Sequence, residues 1–148
     1  MNLSPGGTRF IQDLEGLRTK AYLDSAGIPT IGFGHTAGVK LGDECTPEDA
    51  TKYFEDDVAW AVKAVADNTK DCTLSQNEFD ALVSFTYNAG RRAFEESTLL
   101  RRLKQGRHDE AAGEFERWVF SGGKKISGLL NRRMAEKRLF LGGDDERA

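Results

Sequence analysis

Residues 15–36, Glu-Gly-Leu-Arg-Thr-Lys-Ala-Tyr-Leu-Asp-Ser-Ala-Gly-Ile-Pro-Thr-Ile-Gly-Phe-Gly-His-Thr, leave the chain few local structures to choose from. Gly16 follows a run with apolar residues at Phe10, Ile11 and Leu14. It predicts a helix stop, because glycine takes the left-handed conformation at little cost. Ser25-Ala26-Gly27 separates two β-like runs and predicts a hairpin, with Thr30 and the alternating Ile31-Gly32-Phe33-Gly34 on the return strand. Two carboxylates, Glu15 and Asp24, and the Thr30 hydroxyl are thereby collected within 16 residues. A carboxylate at a helix C-terminus sits near the negative end of the helix dipole, which tends to raise its pKa.

The rest of the chain reads as helices. Thr8 is a better candidate cap for the first helix than Ser4-Pro5, because Gly6-Gly7 make a poor first turn, and the helix is expected to run to about Leu14. A third short strand is expected around Val39 to Leu41. Thr46-Pro47-Glu48-Asp49 combines a cap, proline at the first helical position and acids in the first turn. Behind it Ala50, Phe54, Val58, Ala61, Val62 and Val65 keep one apolar face, making the longest helix, which Asp67-Asn68 ends. Ser75 and Glu78 have capping-box spacing, and Phe79, Leu82, Val83 and Thr86 follow before Gly90. Ser97 caps a short helix with Leu99, Leu100 and Leu103, stopped at Gly106. Asp109-Glu110 begin a helix expected to reach about Phe120, with Ala112, Phe115 and Val119 inward. Gly122-Gly123 break the chain, and Ser127 restarts it. Leu130, Met134 and Leu141 are expected to pack before Gly142-Gly143, and the tail 144–148 to be disordered. The arrangement is α+β and mostly helical.

Composition excludes several classes. Apolar residues are 39% and charged residues 30% of 148, enough for one soluble folding unit with a real core. The apolar runs are too short to span a membrane. The first residues, Met-Asn-Leu-Ser-Pro-Gly-Gly, have neither the basic nor the apolar region of a signal peptide, so the expected location is the cytoplasm of the producing cell. Cys45 and Cys72 read as two free thiols, with a bridge between them as the less common alternative. His35 and His108 lie far apart and no CxxC pair occurs, so neither metal nor cofactor is expected. Residues 1–87 carry a net charge of −7 and residues 88–148 +4, which returns the overall −3. A basic C-terminal half suits a polyanionic cell wall, although a solvated helix face explains the charge equally well and the pI is near 5.5.

Three words of the sequence carry a resemblance: Glu15-Gly16-Leu17-Arg18, Lys20-Ala21-Tyr22-Leu23-Asp24, and Gly27-Ile28-Pro29-Thr30-Ile31-Gly32-Phe33-Gly34-His35-Thr36. With the spacing Glu-x8-Asp-x5-Thr, the chain resembles the phage-type lysozymes, the endolysins of glycoside hydrolase family 24 that include the lysozyme of the T-even phages. The resemblance continues through Asn88-Ala89-Gly90 and Asp109-Glu110-Ala111-Ala112 to Leu129-Leu130-Asn131-Arg132-Arg133. It implies a lysozyme-like fold in which a small β-hairpin lobe is joined by a long helix to a larger helical lobe. On this chain that gives one domain over 1–148, with the β-containing lobe at about 15–60, the helical lobe at 1–14 and 61–143, and the tail at 144–148.

The implied activity is hydrolysis of peptidoglycan glycan strands between N-acetylmuramic acid and N-acetylglucosamine. Cleavage of a glycosidic bond needs a proton for the leaving oxygen and stabilisation of an oxocarbenium-like transition state. Glu15 is the candidate general acid, kept protonated by its helix end and apolar neighbours, while Asp24 in its exposed turn stays ionised. The resemblance assigns the attacking water to Asp24, helped by Thr30, with inversion at the anomeric carbon. It makes Arg132 the partner of the catalytic Glu15, an effect opposing the helix end, and pairs His35 structurally with Asp57. Tyr87, Asn88 and Ser97 align with residues lining the saccharide cleft, whereas Trp60 and Trp118 read as packing. A monomer dependent on a separately encoded holin, without direct contact and with no membrane anchor or nucleic acid, completes the implied picture.

Other functions compete. A lytic transglycosylase needs one catalytic glutamate and closes an anhydro ring, which leaves Asp24 and Thr30 without a task. A non-catalytic cell-wall binder would keep the fold alone. A small helical interaction protein, with its acidic first half as contact surface, leaves the Glu15, Asp24 and Thr30 spacing unexplained.

Overall fold

A computed structural model of the chain describes residues 1–121 and 123–142. The expectations for Gly122, Gly143 and the tail 144–148 lie outside the described residues. In order, the elements are α1 (Pro5–Glu15), β1 (Arg18–Leu23), β2 (Pro29–Gly32), α2 (Pro47–Asn68), α3 (Gln76–Ala89), α4 (Arg91–Glu96), α5 (Thr98–Lys104), α6 (His108–Glu114), a 3-10 turn (Phe115–Arg117), β3 (Phe120–Ser121), β4 (Lys124–Lys125) and α7 (Ser127–Phe140). They form two units: Thr8–Trp60, and Met1–Gly7 with the chain from Ala61 onward. Residues 8–14, assigned to the helical lobe from sequence, therefore group with the hairpin instead.

In the hairpin unit, Gly16 ends α1 with φ +77° and donates its N–H to the Gln12 carbonyl at 2.8 Å. Strands β1 and β2 pair antiparallel with Arg18 opposite Gly32, Tyr22 opposite Thr30 and Leu23 opposite Pro29. The expected return strand through Gly34 stops at Gly32. The chain folds back there, with Ile31 and His35 exchanging both backbone hydrogen bonds at 2.9 and 2.8 Å. Gly32 and Gly34 make this reversal possible at φ +67° and +89°, a region that side chains with a Cβ avoid. The third strand expected at Val39 to Leu41 does not form. A single bridge between Lys20 and Glu44 takes its place, held by hydrogen bonds from Ala21 to Asp43 and from Cys45 to Thr19. Thr46 caps α2 reciprocally with Asp49: each backbone N–H reaches the other's side chain at 3.1 Å. Ala50, Phe54 and Val58 are buried, and the Phe33 ring meets Phe54 edge-on at 6.0 Å.

The helical unit is built around α3, on which Phe79 through Thr86 are all buried. The capping box forms as its spacing predicts: Ser75 Oγ accepts from Glu78 N at 3.0 Å, and Glu78 Oε1 accepts from Ser75 N at 2.8 Å. Helix α3 packs against α7, and α5 against α6. Phe85 lies edge-on to Phe115 at 5.8 Å and to Trp118 at 5.4 Å, and Phe115 in turn to Phe140 at 5.5 Å.

Several sequence expectations fail here for local reasons. Helix α1 starts at Pro5, not behind Thr8, because Ser4 Oγ accepts from Gly7 N at 2.9 Å. The buried Asp80 side chain on α3 also accepts from Ser4 N at 3.1 Å. The short helix α4 between Gly90 and Ser97 has no counterpart among the sequence expectations. The helix expected to reach Phe120 ends at Glu114; the 3-10 turn and the β3–β4 hairpin replace its last part. Met134 and Leu141 point outward, and the inward face of α7 carries Arg133, Glu136, Leu139 and Phe140. Trp60, read as packing, is 41% exposed. Both cysteines are free thiols.

Candidate functional site

Glu15 is the last residue of α1, partly buried, and its carboxylate lies against the backbone of Gly34. A Cβ on Gly34 would fall 3.3 Å from Glu15 Oε1. The bare glycine therefore leaves room for the carboxylate as well as permitting the chain reversal.

Asp24 sits at the hairpin turn, partly buried where sequence suggested exposure. Its Oδ1 accepts from two backbone donors, Ala26 N and Ile28 N, both at 2.9 Å. This is the aspartate turn expected of Asp before a tight loop. It organises one carboxylate oxygen, and Oδ2 has no hydrogen-bond partner among the described residues. On the return strand, opposite Tyr22, Thr30 is buried, and its Oγ1 donates to the Ile28 carbonyl at 2.8 Å. Because that bond uses the hydroxyl proton, Thr30 presents lone pairs only and acts as an acceptor toward a water. The Ile28 peptide links the two residues: its N–H holds Asp24, and its C=O accepts from Thr30 and from Asp24 N at 3.0 Å.

His35 Nδ1 lies 2.8 Å from Asp57 Oδ2 on α2, and the imidazole stacks on Tyr53 with centroids 4.4 Å apart and planes 12° apart. The pair pins the loop after the hairpin to the helix that follows. Glu15, Asp24, Thr30, His35 and Asp57 all belong to the hairpin unit.

The remaining sequence-derived residues lie in the helical unit. Tyr87 is half-buried and Asn88 exposed on the last turn of α3. Ser97 is buried: Oγ donates to the Phe94 carbonyl at 2.7 Å and accepts from Leu100 N at 3.1 Å. Its hydroxyl is thereby engaged as the cap of α5. Arg132 donates from Nε to Glu136 Oε2 and from Nη2 to the Ser84 carbonyl, each at 3.2 Å.

Sequence reasoning passed over the centre of this unit, a buried ion pair between Arg133 and Glu136. Arg133 also donates from Nε to the Trp118 carbonyl at 3.0 Å and from Nη2 to Asn88 Oδ1. Glu136 accepts from Ser84 Oγ at 2.6 Å. Burial lowers the Arg133 pKa from its ordinary value, and the charge and hydrogen bond of Glu136 oppose that shift. The available signal was the i, i+3 spacing of opposite charges on α7. It is also the spacing of an exposed pair. Among the described residues no group of three His, Cys, Asp or Glu side chains is arranged to hold a metal.

The phage lysozyme family model matches residues 12–136. The endolysin of Bacillus phage B103 is 43% identical over 99% of this chain, which spans 56% of that protein's length. The solved endolysin of Escherichia coli O157:H7 phage FAHEc1 is 42% identical and superimposes with a TM-score of 0.89, covering 95% of this chain and 94% of the other. The muramidase domain of SpmX from Asticaccaulis excentricus is 39% identical with a TM-score of 0.87, covering 95% and 97%. A helical chain with a two-stranded hairpin, matched over most of its length by that family model, belongs to the phage lysozyme family and with it to the glycoside hydrolases.

Proposed function

We propose that this chain lyses bacterial cell walls by hydrolysing the β-1,4 bond between N-acetylmuramic acid and N-acetylglucosamine in peptidoglycan. Glu15 protonates the leaving oxygen, Asp24 takes a proton from the attacking water through its unengaged Oδ2, and Thr30 accepts a hydrogen bond from the same water. The configuration at the anomeric carbon inverts.

The observation that carries this reading is the division of labour within one small unit. One carboxylate sits at a helix end against bare backbone. The second has one oxygen fixed by two N–H donors and the other open, and the hydroxyl beside it is polarised to accept. An acid, a base and a water acceptor are the groups that an inverting glycosidase needs. The muramidase and endolysin names of the relatives support the same substrate class. Among the described residues no helix is long and apolar enough to cross a membrane. We further propose that the enzyme acts as a monomer, is made in the cytoplasm of the host bacterium, and reaches the wall after a separate holin opens the membrane.

Digestion of defined peptidoglycan tests the reaction. Reducing ends released with inverted anomeric configuration, and lost in Glu15→Gln with the fold intact, are the expected result. Release of 1,6-anhydro ends would establish a lytic transglycosylase instead, and full activity of Glu15→Gln would remove Glu15 from the mechanism.

A further inference from the structure

The loop between α2 and α3 borders a cavity of about 610 Å³ whose lining residues all belong to the helical unit. Ala66 on the last turn of α2, Leu74, Phe79 and Met1 supply its apolar wall. Leu74 precedes the Ser75 cap of α3 and Phe79 is the fourth residue after that cap, the two positions that a hydrophobic staple pairs. Hydrogen bonds hold these walls in place. At the end of α2, Asn68 Nδ2 donates to the Ala64 carbonyl at 2.8 Å and Thr69 Oγ1 to the Val65 carbonyl at 2.7 Å. Cys72 N closes the following turn on the Thr69 carbonyl at 3.0 Å, and the Ser75 and Glu78 capping box fixes the far side. Gln76 Nε2 holds the Asn2 carbonyl at 2.9 Å and so places Met1 beside it. The charge around the cavity is one-sided. Lys70 lines it, and Lys104 draws the pKa of the lining Cys72 thiol down, against the larger upward push of burial and a further one from Asp71. Of the acids close by, Asp67 is engaged by Lys63 at 2.9 Å and by Arg91 at 3.8 Å, which leaves Asp71 against two ammonium groups.

We propose that this cavity binds a free long-chain alkyl carboxylate, with the chain against Ala66, Leu74 and Phe79 and the head group toward Lys70 and Lys104. Size selects a single chain. At roughly 30 Å³ per water-sized group, dodecanoate takes about 400 Å³ and fits, whereas a two-chain phospholipid needs on the order of 1,400 Å³ and does not. Charge selects the carboxylate, because an ammonium head group would meet two cations and one acid. A preformed apolar recess with a few polar groups at its edge is the usual form of a small-molecule site. None of the residues proposed to act in hydrolysis lines it, so the inference stands apart from the peptidoglycan reading.

Titration of the full chain with dodecanoate, kept below the concentration at which it forms micelles, tests the site. Alkylation of Cys72, followed by mass, is the local readout. The expected result is saturable one-to-one binding by calorimetry, with half-saturation at or below about 100 μM. Alkylation of Cys72 should slow at the same concentrations, while that of Cys45, in the hairpin unit, stays unchanged. Dodecylammonium, the same chain with the opposite charge, should bind about 5-fold more weakly than dodecanoate. Replacing both Lys70→Gln and Lys104→Gln should weaken dodecanoate binding by a similar factor. Ala66→Leu, which suits the helix and fills the recess, should weaken it about 10-fold. If a variant does not fold, the comparison of the two head groups on the wild type decides. No binding of dodecanoate up to about 1 mM, equal protection of both cysteines, equal affinity for the two head groups, or undiminished affinity in folded Ala66→Leu overturns the proposal. Binding to vesicles of anionic phospholipid without binding of free dodecanoate overturns it as well.

Discussion

The Asp80 carboxylate occupies the space where a side chain on Gly7 would begin: a Cβ there would fall 2.5 Å from Asp80 Cγ. Asp80 thereby reaches the start of α1 and accepts from Ser4 N at 3.1 Å, while Gln76 Nε2 supports it at 2.8 Å. The glycine that looked like a flaw in the first turn is the condition for this cap. Gly7→Ala, which raises intrinsic helix propensity by about 1 kcal/mol, should nevertheless destabilise the protein by about 1–3 kcal/mol through overpacking against a buried carboxylate. Urea denaturation measures the difference. A stabilised variant would show that Asp80 can move aside freely.

Gly34 faces a double requirement, positive φ and room for Glu15 Oε1. Gly34→Ala should therefore lower kcat more than stability predicts, because the new methyl displaces the carboxylate as well as straining the turn by about 1–2 kcal/mol. A drop of about 10-fold or more in kcat at a temperature well below melting is the expected outcome. Equal activity in folded variant and wild type would contradict it.

Acid should weaken one surface cluster specifically. The Asp67 carboxyl is held below its ordinary pKa first by the hydrogen bond from Lys63, and Glu95 first by the amide of Asn68 and then by Arg91. Groups with lowered folded pKa values contribute stability above their unfolded values and lose it as pH falls through the folded ones. Both carboxyls are exposed, so the contribution is small and salt-sensitive. The stability difference between the wild type and Asn68→Ala should accordingly shrink below about pH 4. Urea midpoints across pH 3–7 check this, and a difference that widens in acid would be the wrong sign.

Burial pushes both thiols up, Cys45 with further help from Asp49. A raised pKa leaves less thiolate at neutral pH, so alkylation of the native protein should be slower than for a free cysteine. Its rate should keep rising at pH values where the free thiol has levelled off. Following labelling by mass at each cysteine tests both positions at once.

The architecture was legible where a residue's choice is local. Gly16, the Thr46-Pro47 start, the Ser75 and Glu78 capping box and Ser97 each act within four residues, and each stands where its spacing put it. What escaped depends on distant partners. Ser4 displaces Thr8 as the first cap only because Asp80, 76 positions away, supports it. On α7, Met134 and Leu141 looked like the inner face, whereas Arg133 and Glu136 occupy it, paired inside a unit whose polar partners come from α3 and from Trp118 just after the 3-10 turn. At the candidate site, Glu15, Asp24 and Thr30 were readable as residue types. The backbone that equips them, Gly34 under Glu15 and Ile28 between Asp24 and Thr30, was not.

The turn at Asp24 has an implication for mutational scanning. The side chain proposed to draw a proton from water is also the clasp that closes the hairpin, through Ala26 N and Ile28 N. A deep scan scored by lysis would mark every substitution at this position as inactive and conceal two different failures. An asparagine in place of Asp24 retains an oxygen for both backbone donors and removes only the charge. Asp24→Asn should therefore melt within about 1 kcal/mol of the wild type while losing turnover. Asp24→Ala gives up the clasp as well and should fall further in melting temperature. A scan that reads folding and lysis side by side would resolve position 24 into an architect and a chemist, two roles under one selection pressure.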